Sequence, residues 1–138
     1  MPALTDADYE RLAEFRFILR HFLIFSEDAA KKSGLAAQQH QALLAIRGSV
    51  AQGPVTAGIL AGRLGIRHHS AVEMLDRLAR KGLVKRERDP EDRRRVRISL
   101  TAKAERLLAK LSAAHRDELE RLAPVLRGLL AHFERKPG

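Results

Sequence analysis

Cysteine is absent from the 138-residue chain, which excludes disulfides, thiolate-held metals and thiol-based peroxide sensing. Tryptophan is absent too, and one tyrosine with five phenylalanines offers few faces on which the bases of a single strand would stack. Uninterrupted apolar runs are only a few residues long, and the N-terminal MPALTDADYERL has no basic segment leading into a hydrophobic one. Neither a signal peptide nor a membrane span is therefore expected, and the protein is expected in the cytoplasm. Also missing are a Gly-rich phosphate loop, a serine in a nucleophile elbow and an acid pair at cleft spacing, so neither catalysis nor a cofactor is expected.

What the chain does have is positive charge, unevenly placed. Lysine and arginine total 26 against 17 acids, for a net charge of +9. Residues 1–50 hold 6 basic and 6 acidic side chains, residues 51–100 hold 12 and 6, and residues 101–138 hold 8 and 5. The surplus in the middle suits a phosphate backbone and makes association depend on salt.

That middle segment, from Leu64 to Thr101, organises the sequence. A helix is expected from about His68 to Lys81, with Val72, Leu75 and Leu78 on one face and Met74 beside them. His69, Ser70, Glu73 and Arg77 are then free to point outward. Gly82 suits the helix end because it takes positive φ without a Cβ clash, and Arg80 and Lys81 favour the negative end of the helix dipole. A hairpin follows by alternation: Leu83, Lys85 and Glu87 against Val84, Arg86 and Arg88, then Val96, Ile98 and Leu100 against Arg95, Arg97 and Ser99. Asp89, Pro90, Glu91 and Asp92 supply the turn. Left unpaired, Arg93, Arg94 and Arg95 would repel one another; either a polyanion or the neighbouring acids must neutralise them.

Upstream, Thr5 with Asp6 and Asp8 starts a helix that runs to about Lys32. Its apolar surface, with Tyr9, Leu12, Phe15, Leu19, Phe22 and Leu23, exceeds what one terminal helix needs, so a second partner is expected. A helix from about Ala36 to Val50 has Leu43, Leu44 and Ile46 inward and the polar run Gln38 to Gln41 at its start. Gly53 and Pro54 break it. Thr56 then caps a short helix through Leu64, packed by Ile59, Leu60 and Leu64, and Gly65 closes it. Two short helices joined by a glycine turn make a helix-turn-helix. Past Thr101 a helix runs to Pro124, and a separate one is expected to carry Val125, Leu126, Leu129, Leu130 and Phe133. The expected architecture is mainly α with a small β-hairpin (α+β). It has three parts: residues 1–34 for dimerisation, 35–102 for DNA binding and 103–138 for C-terminal dimerisation helices.

VTAGILAGRLGI, then SAVEMLDRLARKGLVKRERDPEDRRRVRISLT, resembles the winged helix-turn-helix of MarR-family transcriptional regulators over residues 35–102. DRLARKGLV and RDPEDRRRVRISLT carry most of the resemblance. It implies a homodimer, joined by the terminal helices, that binds a near-palindromic operator in double-stranded DNA, represses, and is released by a small aromatic effector. By position it implies that His68, His69, Ser70 and Glu73 lie near base edges, with Arg77 toward phosphate or an internal carboxylate. Arg93, Arg94 and Arg95 would meet the minor groove and backbone, Asp92 would hold the wing tip, and Thr56 would offer a hydroxyl or amide to phosphate. The pattern is broken at Arg67, where many relatives cap the helix with serine, and at Glu73, where many carry a base. An acid there repels phosphate but accepts from cytosine N4. For the effector, the family geometry points to a crevice near His21, Phe25 and His40; without cysteine it would act by occupancy. Two other readings stand beside this one. A histidine-based metal-responsive regulator is disfavoured because adjacent histidines on a helix point about 100° apart. A winged-helix protein-interaction module is disfavoured by the concentrated like charge of the wing.

Overall fold

In the computed structural model, which describes residues 2–134, five helices and one hairpin follow in order. They are α1 (Asp6–Lys32), α2 (Ala37–Ser49), α3 (Ala57–Leu64), α4 (His68–Arg80), β1 (Val84–Arg88), β2 (Val96–Leu100) and α5 (Ala102–Ala131). Met1 and residues 135–138, the ends of the expected terminal segments, lie outside the described residues.

α1 starts where the sequence puts it. Thr5 Oγ1 accepts from the Asp8 N–H while the Asp8 carboxylate accepts from the Thr5 N–H, a reciprocal cap that satisfies two orphan donors. The core gathers below, where Leu43 and Ile46 of α2, Leu60 of α3, Leu75 and Leu78 of α4, and Leu83 are all at most 2% exposed. β1 and β2 pair antiparallel with Val84 opposite Leu100 and Arg86 opposite Ile98. Ile98 also donates its N–H to the Val55 carbonyl at 2.7 Å, which pins the hairpin against the strand-like segment before α3.

Three expectations are corrected. Leu44, Ile59 and Val72 were expected inward but are half-exposed, and Ala42, Ala61 and Ala71 fill the interior instead. Small residues at these contacts let helices approach closely, whereas a sequence reading weights the larger side chains. His40, expected within a polar cluster, is buried. β1 carries exposed side chains on both faces beyond Val84. The expected break at Pro124 does not occur, since α5 is one helix from Ala102 to Ala131. Proline there removes one N–H and leaves the Glu120 carbonyl without its intrahelical donor. Both residues are exposed, so water can take that carbonyl, while Leu122 stays buried and anchors the helix across the gap.

Thr101 holds α5 to the end of α4. Its hydroxyl accepts from the Ala104 N–H at 3.1 Å and donates to the Gly82 carbonyl at 2.7 Å, and Lys103 Nζ reaches the Lys81 carbonyl at 3.0 Å. Gly82 itself has φ of 74°, the left-handed conformation that closes α4. Thr101→Ala loses both bonds and is expected to cost about 1–2 kcal/mol in denaturant unfolding. Thr101→Ser should retain most of that, and an equal loss from serine would mean that the methyl, not the hydroxyl, matters.

Candidate nucleic-acid interface

α4 buries Ala71, Leu75 and Leu78 and turns the opposite face to solvent. His69, Glu73, Asp76 and Arg80 follow at spacings of four, three and four residues and so share that face, with Arg77 at its edge. His68 and Val72 flank it on the side of the hairpin, and Ser70 is half-buried on the other side. Arg67 is the N-cap residue, with extended backbone and no side-chain cap bond, so the first-turn amides of α4 keep no internal side-chain acceptor.

The hairpin tip is ordered by two acids. Asp92 Oδ1 accepts from the Arg94 N–H at 3.1 Å and meets Arg94 Nε at 3.3 Å. Asp89 is 3% exposed, and its carboxylate accepts from the Glu91 N–H at 2.9 Å and from Arg97 Nη2 at 3.3 Å, with Arg95 Nη1 at 4.0 Å. The Glu91 amide bond holds the Asp89 pKa below its ordinary 3.8, and Arg97 adds to it, against a smaller opposing effect of burial. Arg88 donates to the Arg93 carbonyl at 3.0 Å. Around the tip stand Arg88, Arg93, Arg94, Arg95 and Arg97 against Asp89, Glu91 and Asp92, so the acids do not neutralise it. Arg93 makes no ion pair among the described residues, and the Arg94 side chain is 93% exposed.

Between α4 and the hairpin lies a groove of about 570 Å³. Val72, Leu75, Val96 and Ile98 floor it, and His68, Arg86, Arg94 and Arg95 stand around it. Thr56, whose Oγ1 caps α3 by accepting from the Ile59 N–H, lies on its rim. The groove thus brings together Thr56, His68 and the wing arginines; His69, Glu73 and Arg77 stand on the open side of α4.

Three groups in this region were missed from sequence. Asp76 pairs with Arg86 and so ties α4 to β1. Asp76 and Arg80 were legible, since they complete the spacing begun by His69 and Glu73. Asp89 had the weaker signal of an acid before proline in a turn. The suggested effector residues do not form one group. Phe25 and His40 both face His115, with ring centres 5.3 and 5.0 Å away, while His21 stacks on Phe17 in a separate groove of about 310 Å³ that also holds Glu118 and Arg121. No sequence pattern marks His115. Among the described residues no three of His, Cys, Asp and Glu come together as a metal site, and no helix is long and apolar enough to cross a membrane.

Comparison with known proteins places these features. The sequence profile of the MarR family matches residues 33–95. An uncharacterized HTH-type transcriptional regulator of Bacillus subtilis, YcgE, is 50% identical over 46 residues, 33% of this chain and 30% of that protein. This chain therefore aligns with under a third of that relative's length. A mutant of Staphylococcus aureus MepR bound to an oligodeoxyribonucleotide superposes with TM-score 0.71 at 21% identity, covering 96% of this chain and 100% of that one. A MarR family protein of Bacillus stearothermophilus gives 0.72 at 23% over the same shares. Apo MarR of E. coli gives 0.68 at 20%, over 88% of this chain and 96% of its own. These likenesses show the winged helix-turn-helix fold.

Proposed function

We propose that this chain is a MarR-family regulator, on the match of that family's profile to its residues 33–95, and that it regulates transcription by binding double-stranded DNA. One observation carries the reading: a helix with a solvent-facing side lies against a hairpin whose tip keeps more arginine than acid. Such a helix fits a major groove, about 12 Å wide, while an adjacent cationic ribbon follows the backbone or the minor groove. In this reading His68, His69, Ser70 and Glu73 meet base edges. Arg67, Arg77 and Thr56 meet phosphates, Arg93, Arg94 and Arg95 form the wing contact, and Asp92 with Asp89 holds their geometry.

The working form is a homodimer on a near-palindromic operator, acting in the cytoplasm as a repressor. Leu12, Leu19 and Leu23 of α1 and Leu119 and Leu130 of α5 are all more than 40% exposed, a large apolar surface for a monomer to leave in water. Release by a small aromatic ligand belongs to the same reading. The groove of Phe17, His21 and Phe22 has apolar walls that suit an aromatic ring, at the small end of ligand sites, with Arg121 beside it held by Glu118. A panel of phenols and aromatic acids tests this by shifts in melting temperature and operator affinity; a panel without effect removes the effector and leaves DNA binding untouched.

Selection of bound duplexes from a random library tests the whole. An inverted repeat with half-sites about one helical turn apart is expected; recovery of no duplex would overturn the reading. On the selected operator, His69→Ala and Ser70→Ala are expected to change preference among base variants by about 1–3 kcal/mol per contact. Equal weakening on every sequence would show that these side chains read no base.

A further inference from the structure

The α1–α5 layer meets the winged lobe at two neighbouring imidazoles, one buried and one half-buried, that duplex binding does not use. His40 stands in the first turn of α2, 4% exposed, and its ring makes no side-chain hydrogen bond among the described residues. His115 of α5 lies with its ring centre 5.0 Å away. Its Nδ1 is 2.6 Å from the Leu111 carbonyl and its Nε2 is 2.8 Å from Ser26 Oγ. A carbonyl only accepts, so Nδ1 carries a hydrogen toward Leu111, while Nε2 and the Ser26 hydroxyl share a second bond. Phe22 and Phe25 of α1 set their rings near edge-on to His115, at 5.8 and 5.3 Å. Three helices therefore meet on these two rings.

No carboxylate comes within 4.0 Å of either ring among the described residues, and the charged groups of the surrounding elements are engaged elsewhere. On α5, Glu118 holds Arg121, and Arg116 lies between Asp117 and Glu120. On α1, Asp28 pairs with Lys32, and on α2, Arg47 pairs with Glu105. Just past α4, Lys81 bonds Gln39 Oε1, one residue before His40, so the lobe sets a cation beside the start of α2. The positive end of the α2 dipole lies on the same side. Every identified influence on His40 opposes a proton.

We propose that His40 and His115 form a proton-operated joint between the α1–α5 layer and the winged lobe, so that acidification below neutrality loosens the joint and weakens duplex binding. The duplex part rests on the function proposed above. Burial, with the neighbouring His115 second, holds His40 below the ordinary imidazole value of 6.5. A base whose folded value is depressed gives stability that is fully present above its ordinary value and is lost as pH falls through the folded one. The cheapest relief for a charged His40 is to let water in beside α2. α2 packs on α3 and β2 as well as on α1 and α5, so that opening shifts the helix-turn-helix against the layer.

The test compares wild type with His40→Gln at pH 7.5 and 5.5, at fixed ionic strength, on a mixed-sequence duplex. His68 and His69 are present in both proteins, so their own titration cancels in the comparison. Wild type should lose more affinity than His40→Gln between the two pH values, by up to about tenfold, and its melting temperature should fall further. Parallel pH profiles for the two proteins would overturn the proposal. Should His40→Gln fail to fold, an NMR titration of the His40 ring in wild type decides: a midpoint at or above 6.5 overturns the joint, and a lower one with accompanying α5 amide shifts supports it. Protein that binds no duplex at any pH refutes the DNA reading instead, and the melting comparison still decides whether the joint titrates.

Discussion

Glutamate at both Leu19 and Leu23 is expected to give a monomer whose affinity for a duplex with two half-sites is lower by about 10²–10⁴-fold. The two leucines are one helical turn apart, 41% and 47% exposed, while α1 packs within its own chain through Ile18 on a different face. The substitution therefore spares the subunit and strikes the surface left open. In a two-fold dimer each new carboxylate repeats on the partner, so four charges meet in one apolar interface. Phe22 is a poorer probe, because its ring already packs near His115 and a charge there would unfold the chain rather than split a pair. Light scattering reports the mass, and affinity for a single half-site should hardly change. A doubly substituted chain that remains dimeric would place the interface elsewhere.

Much of the architecture was legible because its signals are local. Caps at Thr5, Thr56 and Thr101, the glycines at 65 and 82, and the strand from Val96 to Leu100 depend only on near neighbours, and each appears in the structure where it was read, although Val96, expected on the inward face of that strand, is exposed. Side-chain placement was less legible wherever two elements compete for one residue. Val72 has the spacing of a core residue on α4, yet the core side of that helix is met by Ala71, and Val72 is left flooring the groove beside the hairpin. Pro124 misled for a similar reason: a breaker rule weighs one lost bond, whereas the helix persists through the thirty residues around it. The candidate site divides in the same way. The surplus of wing arginines is a property of composition and could be read; the burial of Asp89 and the meeting of His40 with His115 depend on contacts between distant segments. His115 and Ser26 are 89 positions apart, and nothing in the order of residues announces their bond.

Replacing Arg93, Arg94 and Arg95 together with alanine separates a DNA-binding wing from a merely solvated one. Each phosphate contact contributes about the −0.9 power of salt concentration, roughly fivefold in affinity at 0.15 M. Six such contacts, three from each wing of a dimer, would then account for up to about 10⁴-fold in affinity and about 5 in the slope of log affinity against log salt. The observed loss should be nearer 10²–10³, because Arg94 already rests on Asp92 at 3.3 Å and Arg95 reaches Asp89 at 4.0 Å. Stability should move by no more than about 0.5 kcal/mol, since the three side chains are exposed and the tip keeps its Asp89 bonds to the Glu91 amide and Arg97. Asp89→Asn is the complementary change: it leaves every arginine in place but weakens the anchor that orients them, so affinity falls while the salt slope is largely kept. If the triple alanine chain binds duplex with unchanged affinity and slope, the acids of the turn suffice to occupy the arginines and the wing does not touch DNA.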